Sequence, residues 1–208
     1  GGLAGWIFSI PWLTSFGKDF YTVAPLSAVS LIALGIILGL LAVFQRRGRL
    51  RFGLHLAAGL LCVLLATVFA LSLRGIYLPQ AALGFAVSGE RSGAPLGHMS
   101  PVTAAGFFLI SFSLALPRQA RTWLRWLRLL AAGLPIALFY LLLLGYAFSA
   151  KLLYSLNLIV PTLPSTLGGF FLSAGLMGML VLPSFNHRRV ATPVLFFGLY
   201  ALTAITIL

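Results

Sequence analysis

The sequence predicts an all-α integral membrane protein: six full transmembrane helices in three repeated helical hairpins, preceded by a partial or interfacial helix. Three observations carry that prediction. The composition is 61% hydrophobic and only 8% charged, with a mean hydropathy of +1.08, far from the average of soluble domains. Uncharged stretches run 26 residues between Asp19 and Arg46 and 22 residues from Phe52 to Leu73, against the roughly 20 that an α-helix needs to cross a bilayer. One pattern of helix start also recurs, which marks an internally repeated chain.

The best copy of that start is Gly97-His98-Met99-Ser100-Pro101-Val102-Thr103-Ala104-Ala105-Gly106-Phe107-Phe108-Leu109. From Pro164 the chain repeats Pro, Thr166, Gly169, Phe170, Phe171 and Leu172 in register, an offset of 63 residues. Pro25, Ser27 and Ala28 form a fainter copy 76 residues before the first. The return helices repeat as well. Arg51 followed by Leu56-Ala57-Ala58-Gly59-Leu60 matches Arg125 followed by Leu130-Ala131-Ala132-Gly133-Leu134 at an offset of 74.

In chain order, residues 1–24 form the partial or interfacial N-terminal segment, apolar from Leu3 to Trp12 and too short to span alone. It lacks a starting Met and a basic leader region, so a fragment of something longer is expected rather than a signal peptide. The first hairpin occupies 25–74: a helix from Pro25 to Phe44, where proline suits the first turn, then a basic turn and a return helix from Phe52 to Leu73. Gly35 and Gly39 give the first helix a face for close packing, and Cys62 reads as a small packing residue.

Residues 75–100 form an extracytoplasmic loop, apolar from Ile76 to Val87 and rich in Gly, Ser and Pro from Ser88 to Gly97. That composition suits a lid or cover lying in the interface. The second hairpin, 101–148, has helices from Pro101 to about Pro117 and from Leu129 to Phe148. After the connection 149–163, the third hairpin, 164–208, has helices from Pro164 to Leu182 and from about residue 190 to Leu208. Ser100 before Pro101 reads as an N-cap.

The formal charge is +12, from 14 Lys and Arg against 2 acids. Ten basic residues, Arg46, Arg47, Arg49, Arg51, Arg118, Arg121, Arg125, Arg128, Arg188 and Arg189, fall in the three hairpin turns. This asymmetry places the turns in the cytoplasm of a bacterial inner membrane, against lipid headgroups, and the inter-hairpin loops in the periplasm. Nucleic acid is excluded as a partner because no basic face is interleaved with stacking aromatics. The expected partners are the bilayer and other membrane subunits or a second copy.

No acid lies inside any predicted span, which argues against ion-coupled transport, and no nucleophile–base pair, paired carboxylate or phosphate loop marks an enzyme. His55 and His187 fall at one membrane side and His98 at the other, so the three form no single metal or haem site. Sequence indicates no cofactor, and the histidines read as interfacial side chains touching headgroups. What remains as a candidate site is the outer-face motif: Pro25, Ser27, His98, Ser100, Pro101, Thr103, Pro164 and Thr166, where three positive helix ends could attract an anionic or polar ligand.

The stretch from Gly97 to Leu109 resembles the recurrent "G-R-M-S-P-x-T-A-x-x-F-L-L" helix start of the membrane-embedded N-terminal regions of bacterial sensor histidine kinases and related PAS-containing or diguanylate cyclase signalling proteins. Gly5-Trp6 through Ile10-Pro11 to Pro25-Leu26-Ser27-Ala28 resembles the opening "G-W-x-x-x-I-P … P-N-T-A" passage of that family. Leu144-Gly145-Tyr146 to Leu153-Tyr154 and Pro164-Ser165-Thr166 resembles its "L-G-Y … L-Y-G … H-T-A" passage. Departures are His98 where Arg is usual, Val102 and Leu26 in place of Asn, and Pro164 where such starts often lack proline. The resemblance implies a non-catalytic sensory input module whose output domain lies outside this sequence. The alternative is an accessory or scaffold subunit of a larger membrane complex, one holding pigment or quinone.

Overall fold

The computed structural model describes residues 23–44, 48–76, 90–91, 94–95, 98–117, 122–148 and 161–181. They form five helices and one minimal strand pair: α1 (Pro25–Val43), α2 (Gly48–Leu73), β1 (Glu90–Arg91), β2 (Ala94–Pro95), α3 (Pro101–Ala115), α4 (Thr122–Ala147) and α5 (Leu163–Val181). α1, α2, α4 and α5 are long and apolar enough to cross a membrane, as an all-α membrane protein requires. The expected helix at 190–208, the interfacial segment at 1–22 and the turn arginines Arg46, Arg47, Arg118, Arg121, Arg188 and Arg189 lie outside the described residues.

Two expectations are corrected. The third helix stops at Ala115 with 15 residues, roughly 22 Å at 1.5 Å per residue, which falls short of a ~30 Å hydrocarbon core. The described chain therefore holds four candidate spans and one shorter helix rather than a run of full spans. The return helices also begin earlier than expected, at Gly48 and Thr122. Arg49, Arg51, Arg125 and Arg128 are thus on the opening turns of helices and not in the turns between them. Arginine is a good helix former, and lipid thickness limits only the apolar part of a helix.

Side-chain contacts fix the directions. Gly35 on α1 faces Leu172 on α5, and Gly168 and Gly175 on α5 face Leu31 and Leu38 on α1. All three pairs are 137 residues apart, so α1 and α5 run parallel. His55 bonds to Leu114 and Ser72 to His98, making α2 and α3 antiparallel. Ser113 pairs with Arg128, and Gly106 and Gly169 both face Phe139, so α4 runs against α3 and α5. The starts of α1, α3 and α5 consequently share one end of the bundle, the proline end, opposite an arginine end.

The repeat is expressed in the packing. Shifting the buried residues Pro25, Ser27, Ala28, Ser30, Leu31, Leu34, Ile37 and Leu38 of α1 by 76 gives Pro101, Thr103, Ala104, Gly106, Phe107, Ile110, Ser113 and Leu114, every one buried in α3, while the remaining buried residue, Leu41, maps to the exposed Pro117 past the end of α3. Shifting Leu54, Ala58, Leu65 and Val68 of α2 by 74 gives Arg128, Ala132, Phe139 and Leu142, all buried in α4. α3 is the hub, in contact with all four other helices and most extensively with α2. The closest pairing thus joins the return helix of one hairpin to the start of the next, across the loop, rather than the two helices of a hairpin.

Phe139 holds the centre. It is fully buried against Gly106 of α3 and Gly169 of α5, the equivalent glycines of two repeat copies, and its ring centroid lies 5.9 Å from that of Phe107. A Cβ on either glycine would overlap the ring. Of the Gly35 and Gly39 pair, only Gly35 meets a neighbour, Leu172 at 3.9 Å from a Cβ placed there. Cys62 is a buried free thiol facing the interior, as a small packing residue would be.

Candidate functional site

At the proline end, α1 and α3 each begin with proline as the first helical residue, where its missing N–H costs nothing. The first-turn amides run back to Ala24 and Ser100: Ala28 N–H donates to Ala24 O (3.1 Å) and Ala104 N–H to Ser100 O (2.9 Å). Ser100 occupies the N-cap position, but its side chain makes no capping bond. The cap read from sequence is therefore supplied by the backbone, with proline fixing the entry angle.

The third copy is displaced. α5 starts at Leu163, one residue before Pro164, and Thr162 caps it: Thr162 Oγ1 lies 2.7 Å from Ser165 Oγ, and Thr166 donates both its amide (3.0 Å) and its hydroxyl (2.9 Å) to Thr162 O. Tyr146, at the end of α4, donates its hydroxyl to Pro161 O just before this start. Thr162 was not singled out in the sequence, and Tyr146 only as part of the Leu144-Gly145-Tyr146 resemblance, not for a bond to the start of α5. The signal for the first was a threonine, a favoured N-cap residue, directly before Leu163-Pro164, where proline suits the first turn of a helix.

The candidate residues are thus gathered at one end but turned inward. Ser27, His98, Ser100, Thr103 and Thr166 are all buried, at 9% exposure or less. Thr103 Oγ1 and, deeper, Ser30 Oγ and Ser111 Oγ have no hydrogen-bond partner among the described residues. Their hydroxyls give the α1–α3–α5 interior a polar lining.

His98 is the titratable member. Its Nε2 lies 3.0 Å from Ser72 Oγ at the end of α2. α2 closes there by a Schellman turn: Gly75 takes φ 68°, Gly75 N–H donates to Ser72 O and Ile76 N–H to Leu71 O. That turn brings Ser72 onto the segment before α3. Burial pushes the His98 imidazole below the usual histidine range. At the arginine end His55 Nδ1 donates to Leu114 O at 2.6 Å, the carbonyl fixing that nitrogen as the protonated one. The sequence reading of the histidines as side chains touching headgroups is corrected for the two that are described: each hydrogen-bonds within the protein, His98 to Ser72 and His55 to Leu114, at opposite ends of α2.

Arg128 also departs from its expected headgroup role. It is 5% exposed, with Nε donating to Ser113 O and Ser113 Oγ donating to Arg128 O, both at 3.0 Å. Both residues stand where the repeat copies carry apolar ones, Leu54 for Arg128 and Ile37 and Leu176 for Ser113. The guanidinium donates to a main-chain carbonyl, and the serine in turn donates its hydroxyl to the Arg128 carbonyl, so the two side chains each bond the other's backbone. Arg49 and Arg125 are exposed at their helix starts, where the positive dipole end makes a bare cation unfavourable and an anionic headgroup welcome.

Among the described residues no group of three or more His, Cys, Asp or Glu could hold a metal. Compared with family models, curated proteins and solved structures, the chain gives no match.

Proposed function

We propose that the chain is a non-catalytic, membrane-embedded input module of a bacterial signalling protein, with its proline end periplasmic and its arginine end cytoplasmic. The observation that carries this reading is the α2–α3 pair. Its two histidine contacts, His98–Ser72 and His55–Leu114, lie at opposite ends of one packed unit, so a change at one end is transmitted along α2 to the other. The resemblance of Gly97 to Leu109 to sensor-kinase input regions supports the same reading, and so does the clustering of basic residues at one end.

The test uses spin labels at the arginine end, Arg49→Cys and Trp123→Cys, both exposed sites, in a Cys62→Ala background in nanodiscs. Stimuli are applied in turn: decyl-ubiquinone, anionic lipid and external pH. An input module changes its inter-label distance with at least one stimulus. A fixed distance under all of them rejects the reading.

A second reading, an accessory subunit of a larger membrane complex, is favoured by the outer face of α4, where Trp123, Trp126, Leu130, Leu134 and Leu141 are all more than half exposed. Stoichiometric co-purification with a large complex in mild detergent would select it.

A further inference from the structure

We infer that the lipid-facing groove between α4 and α5 at Tyr140 receives the head of a membrane-soluble quinone, whose ring lies beside Phe170 and whose carbonyl accepts the Tyr140 hydroxyl. Tyr140 is 52% exposed on the outer side of α4 and makes no hydrogen bond among the described residues. It sits seven residues, roughly 10 Å, before the end of α4 at Ala147. Helical side chains lean toward the N-terminus of their own helix, which carries the phenol deeper, toward the middle of a ~30 Å hydrocarbon core. Water is absent at that depth, and headgroups stay at the edges of the core. Tyrosine on a lipid face ordinarily stands at headgroup level, with its hydroxyl in the wet region. A phenol without an acceptor in hydrocarbon is costly, and the fold does not require one: the repeat-equivalent residue of α2, 74 positions earlier, is Ala66.

The surroundings give the missing acceptor its shape. The Phe170 ring lies 6.3 Å from that of Tyr140 at 34°, and Phe171 stands edge-on to Phe170 at 5.7 Å and 70°. One turn further toward the arginine end, Ala137 of α4 and Ala174 of α5 are small and exposed, and beyond them Gly178 has open space where a Cβ would stand. The groove therefore offers room for a flat ring, aromatic edges to stack against and one donor to orient it. A quinone supplies each complement: a planar ring, a carbonyl and an apolar tail that the surrounding lipid accommodates. The helices of another membrane protein hold their backbone carbonyls bonded within themselves, so a small acceptor is the better match to a single phenol. None of this depends on the signalling reading.

Titration calorimetry of the full chain in nanodiscs, with empty discs subtracted, tests the site with decyl-ubiquinone as probe and decylbenzene, which has a ring and tail but no carbonyl, as control. The expected result is saturable binding of decyl-ubiquinone and none of decylbenzene. Tyr140→Phe, which keeps the ring and the thermal midpoint, should bind about tenfold more weakly; Leu60→Ala, on the exposed side of α2, should bind as the wild type does. No saturable binding by the wild type overturns the proposal, as does equal affinity in Tyr140→Phe or equal binding of decylbenzene. A disulfide-linked dimer formed by Tyr140→Cys in a Cys62→Ala background, and not by Leu60→Cys, also overturns it by placing a second copy in the groove. Quinone binding with the arginine-end labels fixed under every stimulus keeps this site and rejects the input module. A quinone response of those labels that is undiminished in Tyr140→Phe does the reverse.

Discussion

Phe139 is the residue on which most of the packing converges. Truncation to alanine empties a site closed by Gly106, Gly169 and Phe107, and large-to-small changes of this kind cost about 3–5 kcal/mol. A fall in the thermal midpoint of the detergent-solubilised protein measures it. Gly106→Ala should also destabilise, because its Cβ meets a ring that neighbours hold on both sides, and Gly106→Ala with Phe139→Leu should recover part of the loss. His98 sets a pH dependence. Its folded-state affinity for protons is lowered by burial, so the unfolded chain takes up the proton first as pH falls. The contribution of this residue to stability is whole above the ordinary histidine value of about 6.5 and is lost as pH drops below it. A wild-type midpoint that falls between pH 7.5 and 5.5, and falls less in His98→Gln, is the expected result.

At the scale of elements, the starts of the proline-led helices were written in the sequence, while the starts of the return helices and the neighbours of every helix were not. Proline at Pro25 and Pro101 set two starts to the residue, and the repeat offset carried a third to within one residue. Partner choice escaped because apolar residues surround these helices on every side. In lipid, both the packed and the exposed faces are apolar, so Leu60 and Val63, exposed, read like Leu65 and Val68, buried. The His98–Ser72 contact spans 26 residues of chain and leaves no local trace. Arg128 was misplaced for a related reason: charge alone assigns it to a surface, and only the paired change at Ser113 signals an interior. Ser113→Ala and Arg128→Ala should each cost about 1–3 kcal/mol, as loss of one partner from a buried hydrogen bond does, and the double variant less than their sum. Arg128→Lys should not restore stability, since lysine has no Nε–H fork. Gly75→Ala, at φ 68°, should cost about 1–2 kcal/mol.

For the whole molecule, the proposed orientation is tested by a membrane-impermeant maleimide on intact cells. With Cys62 replaced, Ile76→Cys should label in intact cells and Arg49→Cys only after permeabilisation; the reverse would invert the topology. α3 shows why span counting from composition overreached. A 15-residue helix in contact with every other described helix is surrounded by protein and has no need to match the bilayer, a distinction that hydropathy does not contain.

The sharing of one ring by two repeat copies has an evolutionary consequence. Duplicated segments ordinarily drift apart freely, but Gly106 and Gly169 press on the same Phe139, so neither copy can enlarge its residue unless the ring shrinks, and the ring cannot shrink without leaving both copies underfilled. Positions 106, 139 and 169 are therefore expected to change together among descendants of the same ancestor, a three-way covariation in which the two glycine sites answer to a residue that belongs to neither.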